Sequence, residues 1–543
     1  MKSEITAALK NVLVALDYPD TPVVIQLSKK SNHGDFSSSL AMQLARKLGI
    51  NPHDIAQSIA NKLEKDFPQL IESAKIAGPG FINIHIQKKQ IISQLTTVLK
   101  KNTKFGRSNL GNGKKALVEF VSANPTGPLT VGHGRGAILG DIVSNILEWN
   151  GYKVEREYYY NNAGRQMQRL GQSVQARYLE LLGKPAEFPN EGYEGEYIID
   201  IARDLIRNKG LKLQASDNLS TFIEAAENSI FQNIKSTLGN IGLTFDRYFN
   251  EQSLYESGAL ETVLAKLKKK DLIFKEDGAT WFRATAVGQK KDRVMIKSTG
   301  EPTYRLPDIA YHSDKFERGY DFMVDVLGAD HMDSYPDVLA GVKQLGYNPD
   351  NITALIHQFV TLTINGEPLK MSTRKAQYVT LDELIDEVGA DVVRYFFIMR
   401  GMNTHLNFDM DLARDESDEN PVYYLQYAHA RLCNILKHAE SMGYELNYNA
   451  DLTPLTLESE LQLIKSLMEF PIIIKRAHVS LEPQSIANYL QEIAGQFHRY
   501  YAKERVVNKE SEKTEARLIL VKALQIILNN GLKILGIHAP KKM

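Results

Sequence analysis

The pattern around residue 120 constrains this chain most. Leu117 to Val121 is a short apolar strand, followed by a loop rich in Pro and Gly. A helix then runs from about Gly132 to Trp149, with Ile138, Leu139, Ile142, Ile146 and Leu147 on its buried face. Tyr152 to Tyr160 reads as the next strand. A strand, a crossover helix and a second strand at this spacing open a parallel α/β sheet. The chain has 543 residues, too many for one core, so this sheet is one of about three or four units.

The units on either side differ from it. In residues 1–105, Leu40, Leu44 and Leu48 predict a helix over Ser37 to Leu48 that ends at Gly49. Phe81 to Ile86 alternates with period two after Gly78-Pro79-Gly80 and reads as a strand, so this is a small α+β domain. Residues 116–410 hold the sheet domain. Its stretch from about 167 to 275 is charge-rich and reads as a helical insertion. Strand signals return at Thr280 to Thr285, Val294 to Lys297, Phe322 to Leu327 and Phe359 to Ile364, the last running into the turn dipeptide Asn365-Gly366. From 415 to 543 the apolar spacing is helical throughout, as in a separate bundle.

Composition excludes several classes. The single cysteine, Cys433, rules out an intramolecular disulfide or a site with several cysteine ligands, and suits a reducing cytoplasm. The first residues lack the layout of a cleavable signal. No apolar run is read as approaching the roughly 18 residues of a membrane span, so no membrane partner is expected. The 65 basic and 65 acidic residues cancel. A nucleic-acid partner must therefore be argued from motifs, because net charge does not argue for one.

The loop between first strand and first helix carries Asn124-Pro125-Thr126-Gly127-Pro128 and then Thr130-Val131-Gly132-His133-Gly134-Arg135-Gly136. A helix N-terminus there offers unpaired N–H groups to phosphate. Gly132, Gly134 and Gly136 allow a ring or a phosphate to come close to the backbone. His133 can donate to a phosphate oxygen as charge develops. The spacing is neither a dinucleotide fingerprint nor a P-loop, and alone it reads as a tight turn with a surface histidine. Further along, Lys370-Met371-Ser372-Thr373-Arg374-Lys375 follows a hairpin and suits a mobile cationic clamp on a polyphosphate. The two segments, flanking one sheet domain in this order, point jointly to an ATP site.

On these residues the chain resembles the class I aminoacyl-tRNA synthetases. Thr130 to His133 looks like the His-x-Gly-His signature and Lys370 to Arg374 like the Lys-Met-Ser-Lys-Ser loop. Several segments narrow the resemblance to arginyl-tRNA synthetases: Glu119 to Gly136, Tyr160-Asn161-Asn162-Ala163-Gly164, Tyr304 to Tyr311, Leu327 to His331, Val379 to Phe397 and Asn420 to Arg431. Gly34-Asp35-Phe36, Gly78 to Asn83 and the ending Leu535 to Pro540 fit as well.

The resemblance implies an α/β multidomain enzyme. A Rossmann-type catalytic domain stands between an N-terminal α+β domain and a C-terminal all-α anticodon-binding bundle. Its reaction joins L-arginine to its tRNA through arginyl-adenylate, for protein synthesis. ATP enters with Mg2+ as substrate, with no prosthetic group and no resident metal. A cytoplasmic monomer that needs bound tRNA even for the first step is the expectation.

The resemblance also assigns roles. His133, Lys370 and Thr130 serve catalysis. Gly132, His133, Gly134, Gly136, Lys370, Met371, Ser372 and Arg374 hold ATP. Ser122 and Asn124 take the α-amino group, Tyr304 and Asp308 the guanidinium, and His331 faces the substrate. A planar cation does favour a carboxylate with an aromatic neighbour. Glu119 is either a substrate ligand or a buried partner within the sheet. Phe81 and Asn83 match contacts to the outer corner of tRNA, although Phe81 by pattern alone reads as core. Tyr423, Tyr427 and Arg431 lie at helical spacing and suit stacking on anticodon bases, with part of that stripe in the core. Thr130 and Thr373 depart from the class signatures, and a threonine hydroxyl can hydrogen-bond phosphate but carries no charge. The rivals are another class I synthetase and a degenerate, non-enzymatic tRNA binder.

Overall fold

The computed structural model describes the chain except residues 29–33, 211–212, 214–217 and 370–378. Its centre is a five-stranded sheet: β1 (Lys115–Glu119), β2 (Lys153–Tyr160), β3 (Arg247–Asn250), β4 (Phe322–Gly328) and β5 (Ile352–His357). Three helices frame it: α1 (Val131–Trp149), α2 (Arg305–Glu317) and α3 (Tyr335–Gln344). All pairings are parallel, in the order β5-β4-β1-β2-β3. The chain winds outward both ways from β1, which leaves a crevice beyond the carboxyl ends of β1 and β4. Open α/β sheets take their ligands at such a switch point.

Alternation along β1 builds one core on each face. Ala116, Val118 and, just past the strand, Phe120 join the core on the α1 side, while Leu117 joins the core on the α2 side. The α1 helix comes closest to β1 at Gly140, where a Cβ would lie 2.2 Å from the Phe120 ring.

Residues 167–275 differ from the helical insertion expected. The helices Gly164–Leu181, Glu196–Lys209 and Ser220–Asn240 are present, but β3 follows them and forms one edge of the central sheet. Four residues are too few for a period-two signal to stand out. The strands Ala279–Phe282 and Arg293–Ile296 exist but leave the parallel sheet and form a small antiparallel one with Ile273–Glu276. Val360–Ile364 belongs to another small sheet, turned at Asn365 and Gly366, both with positive φ. The sheet's other edge strand, β5, gave no signal that the sequence reading picked up.

Before the sheet domain stands a four-stranded antiparallel sheet, ordered Ile25–Leu27, Phe36–Ser38, Phe81–Ile86, Ile71–Ala77. The first predicted helix begins only at Leu40, because Ser37 and Ser38 pair with the Phe81–Ile86 strand. Gly49 ends it in the left-handed conformation, as expected. After the sheet domain, five helices span Pro421–Ser441, Glu458–Leu467, Phe470–Ser480, Gln484–Tyr501 and Ser511–Leu535. The last is long and apolar enough to cross a membrane, contrary to the reading that no run approaches that length. However, 78% of its apolar window is buried, which makes it the central helix of this bundle.

Two buried ion pairs tie these parts together. Asp35 accepts the Ile86 N–H at 2.6 Å and meets Lys465 of the bundle at 2.6 Å. Arg394 donates to the Leu535 carbonyl at 3.0 Å and the Ile241 carbonyl at 2.8 Å, and pairs with Asp141 on α1. Its guanidinium fills the space a side chain at Gly536 would need. Arg394→Ala strands two carbonyls and leaves Asp141 only Arg156 Nε at 3.5 Å, so a loss of about 3 kcal/mol is expected, read from urea denaturation.

Candidate active site

The crevice begins where β1 stops. Val121 (φ 68°) and Ser122 (φ 45°) are both left-handed. That conformation is rare for a β-branched residue and costs about 1–3 kcal/mol, so its surroundings must hold it. Ser122 Oγ donates to Glu119 Oε1 at 2.9 Å and accepts the Tyr159 N–H at 3.3 Å. Asn124 is anchored as well: its Oδ1 accepts the Asn161 N–H at 3.0 Å and its Nδ2 donates to Gln166 at 3.2 Å. The turn therefore presents Ser122 and Asn124 at the sheet's rim on a rigid frame.

Past the loop, Thr130 is the N-cap of α1. Its backbone N–H donates to His133 Nδ1 at 3.1 Å, and its hydroxyl lies 3.2 Å from the same atom. Nδ1 is thus an acceptor, and the neutral ring carries its proton on Nε2, free to donate. Burial lowers the His133 pKa, which keeps the ring neutral. Thr130, the departure from the class signature, therefore orients the histidine.

The cleft beside these groups has a volume of about 610 Å³, and its lining includes Ser122, Asn124, Thr130, Gly132, His133, Gly136, His331 and His357. The three glycines differ. Gly132 opens on the cleft: a Cβ there would meet, among the described residues, only Thr130 Oγ1 at 3.6 Å. At Gly136 a Cβ would lie 2.9 Å from His357 Nε2. Gly134 does not face the cleft: a side chain there would strike Leu381 at 2.7 Å and Phe397 at 3.0 Å, and its N–H is bonded within the helix. Its expected ATP contact is corrected to helix packing. His331 is exposed at the rim. Lys370, Met371, Ser372 and Arg374 lie outside the described residues.

Under the cleft, three carboxylates sit at one register on adjacent strands. Glu157 of β2 faces Glu119 of β1, which faces Asp325 of β4. The α2 helix covers them with cations. Arg318, just past its end, reaches Glu157 at 2.6 and 2.8 Å; Lys315 reaches Glu119 at 2.6 Å and Asp325 at 2.7 Å; His312 Nε2 lies 2.8 Å from Asp325. Of the two readings of Glu119, the buried partner within the sheet is the one these contacts describe.

Asp308 lies one turn before His312. Burial, with Glu119 and Glu251 nearby, pushes its pKa up to about 7 despite His312 and Lys315. Glu251, just past β3, accepts from Tyr159 Oη at 2.6 Å and Asn161 Nδ2 at 2.7 Å. These two carboxylates lack a matching cation among the described residues, so the corner suits a cationic ligand. Tyr304, one helical turn before Asp308, is 83% exposed. Sequence reasoning missed Glu251 because it missed β3. It missed His357, whose pKa burial lowers to about 4, because it missed β5.

Elsewhere, Phe81 is 39% exposed rather than core, whereas Asn83 is 8% exposed. On the helix Pro421–Ser441, Val422, Leu425, Ala428 and Leu432 are buried. Tyr423 and Tyr427 stack on its other side at 6.3 Å, and Arg431 lies 4.4 Å over Tyr427.

Three family models match the chain: "Arginyl tRNA synthetase N terminal domain" over residues 1–86, "tRNA synthetases class I (R), catalytic domain" over 94–396, and "DALR anticodon binding domain" over 425–543. A curated arginine–tRNA ligase of Desulfotalea psychrophila is 50% identical over 522 residues, covering 96% of this chain and 94% of that one. The chain belongs to the arginyl-tRNA synthetases. The arginine–tRNA ligase of Salinibacter ruber is 47% identical with all of both chains covered. The Thermus thermophilus arginyl-tRNA synthetase structure, 22% identical, matches with a TM-score of 0.78 over all of both chains and agrees in fold. The class I catalytic fold of this synthetase, its ligase activity and its use of ATP follow from that membership.

Two outcomes are expected. His133→Ala should lower pyrophosphate exchange about 100- to 1,000-fold with the fold intact by circular dichroism. Asp308 carries its charge only above about pH 7, so the KM for a cationic substrate should rise as pH falls below that value. The same shift has a sign for stability. A carboxyl raised above its unfolded pKa loses folded-state stability as pH climbs from the ordinary carboxylate range through about 7. Asp308→Asn should therefore raise Tm relative to the parent at alkaline pH and not at acidic pH, as calorimetry would record.

Proposed function

We propose that this synthetase activates L-arginine with ATP and passes the arginyl group to the terminal ribose of its tRNA, and that the acidic corner at Asp308 and Glu251 selects the guanidinium. The observation that carries this reading is the excess of carboxylate at the sheet's switch point, beside a helix N-terminus that carries an Nε2-protonated histidine. The arginine carboxylate attacks the α-phosphorus of ATP and pyrophosphate leaves. A ribose hydroxyl then attacks the carbonyl of the adenylate, and AMP leaves.

In this proposal Ser122 and Asn124 take the α-amino group. Asp308 takes the guanidinium with Glu251, and Tyr304, one turn away, folds over it. His331 contributes from the rim. Glu119 acts behind them by fixing Ser122. Gly132 and Gly136 admit ATP, His133 donates through Nε2 to its phosphates, and Thr130 holds that ring. Magnesium comes in with ATP. Lys370, Met371, Ser372 and Arg374 clamp the nucleotide, a role resting on sequence alone. Asp308 ionises fully when the guanidinium binds, because opposite charge at contact favours the charged form.

For tRNA, we assign the outer corner to Phe81 and Asn83, and the anticodon to Tyr423, Tyr427 and Arg431. A stacked pair of rings capped by a guanidinium is a platform for unpaired bases. The proposed domains are 1–105, 116–410 and 415–543. A cytoplasmic monomer away from membranes completes the proposal; the single cysteine suits that compartment.

Pyrophosphate exchange that requires both arginine and tRNA, followed by aminoacylation, is the expected behaviour. Exchange with another amino acid and none with arginine would refute the substrate assignment.

A further inference from the structure

We propose that Lys315 is a positioning residue that sets the spacing between the two ends of the arginine pocket, a role that rests on the assignment of Ser122 and Asp308 to those ends. Its ammonium is fully buried and touches two carboxylates at once, Glu119 Oε2 at 2.6 Å and Asp325 Oδ1 at 2.7 Å. It also lies 4.2 Å over the Tyr311 ring. A flexible four-carbon stem usually leaves a lysine head free to wander. Here two short charge-assisted bonds and a ring fix it.

Each carboxylate passes that position on. The second oxygen of Glu119 receives the Ser122 hydroxyl at 2.9 Å, inside the left-handed turn that ends β1. The turn is closed by the Ser122 N–H on the Phe120 carbonyl at 3.0 Å, and its serine side chain is held between Glu119 and the Tyr159 N–H, so Glu119 is one of the groups that set where Ser122 points. The second oxygen of Asp325 meets His312 Nε2 at 2.8 Å and the Tyr335 hydroxyl at 2.5 Å. His312 Nδ1 lies 2.7 Å from the carbonyl oxygen of Asp308. One arm from Lys315 therefore leads to the amino-group end and the other to the guanidinium end. Asp325 and Glu119 stand on neighbouring strands at the same register, so the sheet fixes their separation and the lysine fixes their orientation.

A purely structural tie would use the same contacts, but it predicts different kinetics. A substrate held at both ends by a rigid frame loses affinity when the frame shifts and the two ends can no longer be held together. Such a loss falls on the substrate whose two ends are spaced, and ATP is not that substrate. The groups facing Asp308 are Glu119 on β1, Tyr159 on β2, Glu251 after β3, Tyr335 on α3, and His312 and Lys315 on its own helix. Lys315 brings a positive charge to that group, so its removal also favours the protonated form of Asp308.

The test uses the full chain with tRNA, in arginine-dependent pyrophosphate exchange across pH, for Lys315→Met, Lys315→Arg and Asp308→Asn. For Lys315→Met the expected result is a fall in kcat/KM for arginine of about 10- to 100-fold. That fall lies in the KM for arginine, with the KM for ATP unchanged, and the acid limb of the profile moves to higher pH. Lys315→Arg should recover part of the loss and restore the acid limb. Equal changes in both KM values, or lowered Tm with unaltered kinetics and pH profile, would overturn the positioning role. If Lys315→Met does not fold, Lys315→Arg carries the test: a raised KM for arginine alone supports the role, and unchanged kinetics overturn it. Asp308→Asn separates the two levels. If it leaves the KM for arginine untouched, the pocket assignment itself fails. If it raises that KM while the folded Lys315 variants do not, only the role of Lys315 fails.

Discussion

Three carboxylates at one register on neighbouring strands cannot all remain ionised inside a sheet unless cations stand against them. Glu157, Glu119 and Asp325 do stand so, and α2 supplies Lys315 and His312, with Arg318 just beyond. The placement of α2 follows from this charge matching. The helix cannot slide or rotate without stranding a buried charge, so everything it carries inherits that precision. Apolar packing on the same face, through Leu306, Ile309 and Ala310, is compatible with small slips; the ionic row is not.

The same row explains why the pocket is acidic. Cations match the carboxylates along the sheet, but matching stops at the rim, where Asp308 and Glu251 remain. An acidic corner that penalises its own charge in the empty protein gains most from a ligand that brings the cation. This is a common way for a site to trade stability for selectivity.

Much of this architecture was legible in the sequence. The first strand, helix and strand were legible in the run from Ala116 to Tyr160 because a long periodic helix stands between two apolar strands at the spacing of a crossover unit. The bundle after 415 was legible for the same reason. What escaped were the two edge strands, whose identity depends on neighbours far along the chain: β3, of only four residues, and β5, of six. With them went Glu251 and His357, which stand at or just past the ends of those strands. Tyr304 and Asp308 share a helical turn in sequence, yet nothing local determines that one ring stands in solvent while the other side chain turns inward. Gly134 shows the converse. Its glycine-rich context suggested nucleotide contact, but the space it leaves is filled by Leu381 and Phe397.

The helix α1 joins places that seem unrelated. At its first turn stands His133; two turns later Asp141 grips Arg394, and Asn145 donates to the Ile534 carbonyl at 3.0 Å, at the end of the bundle's central helix. From His133 to Asp141 the axial rise is about 12 Å, and a helix is stiff along that length. The imidazole and the base of the bundle are thus mounted on one strut. The contacts that seat the bundle and the turn that orients the imidazole share one rigid element, and neither can be repositioned without loading the other.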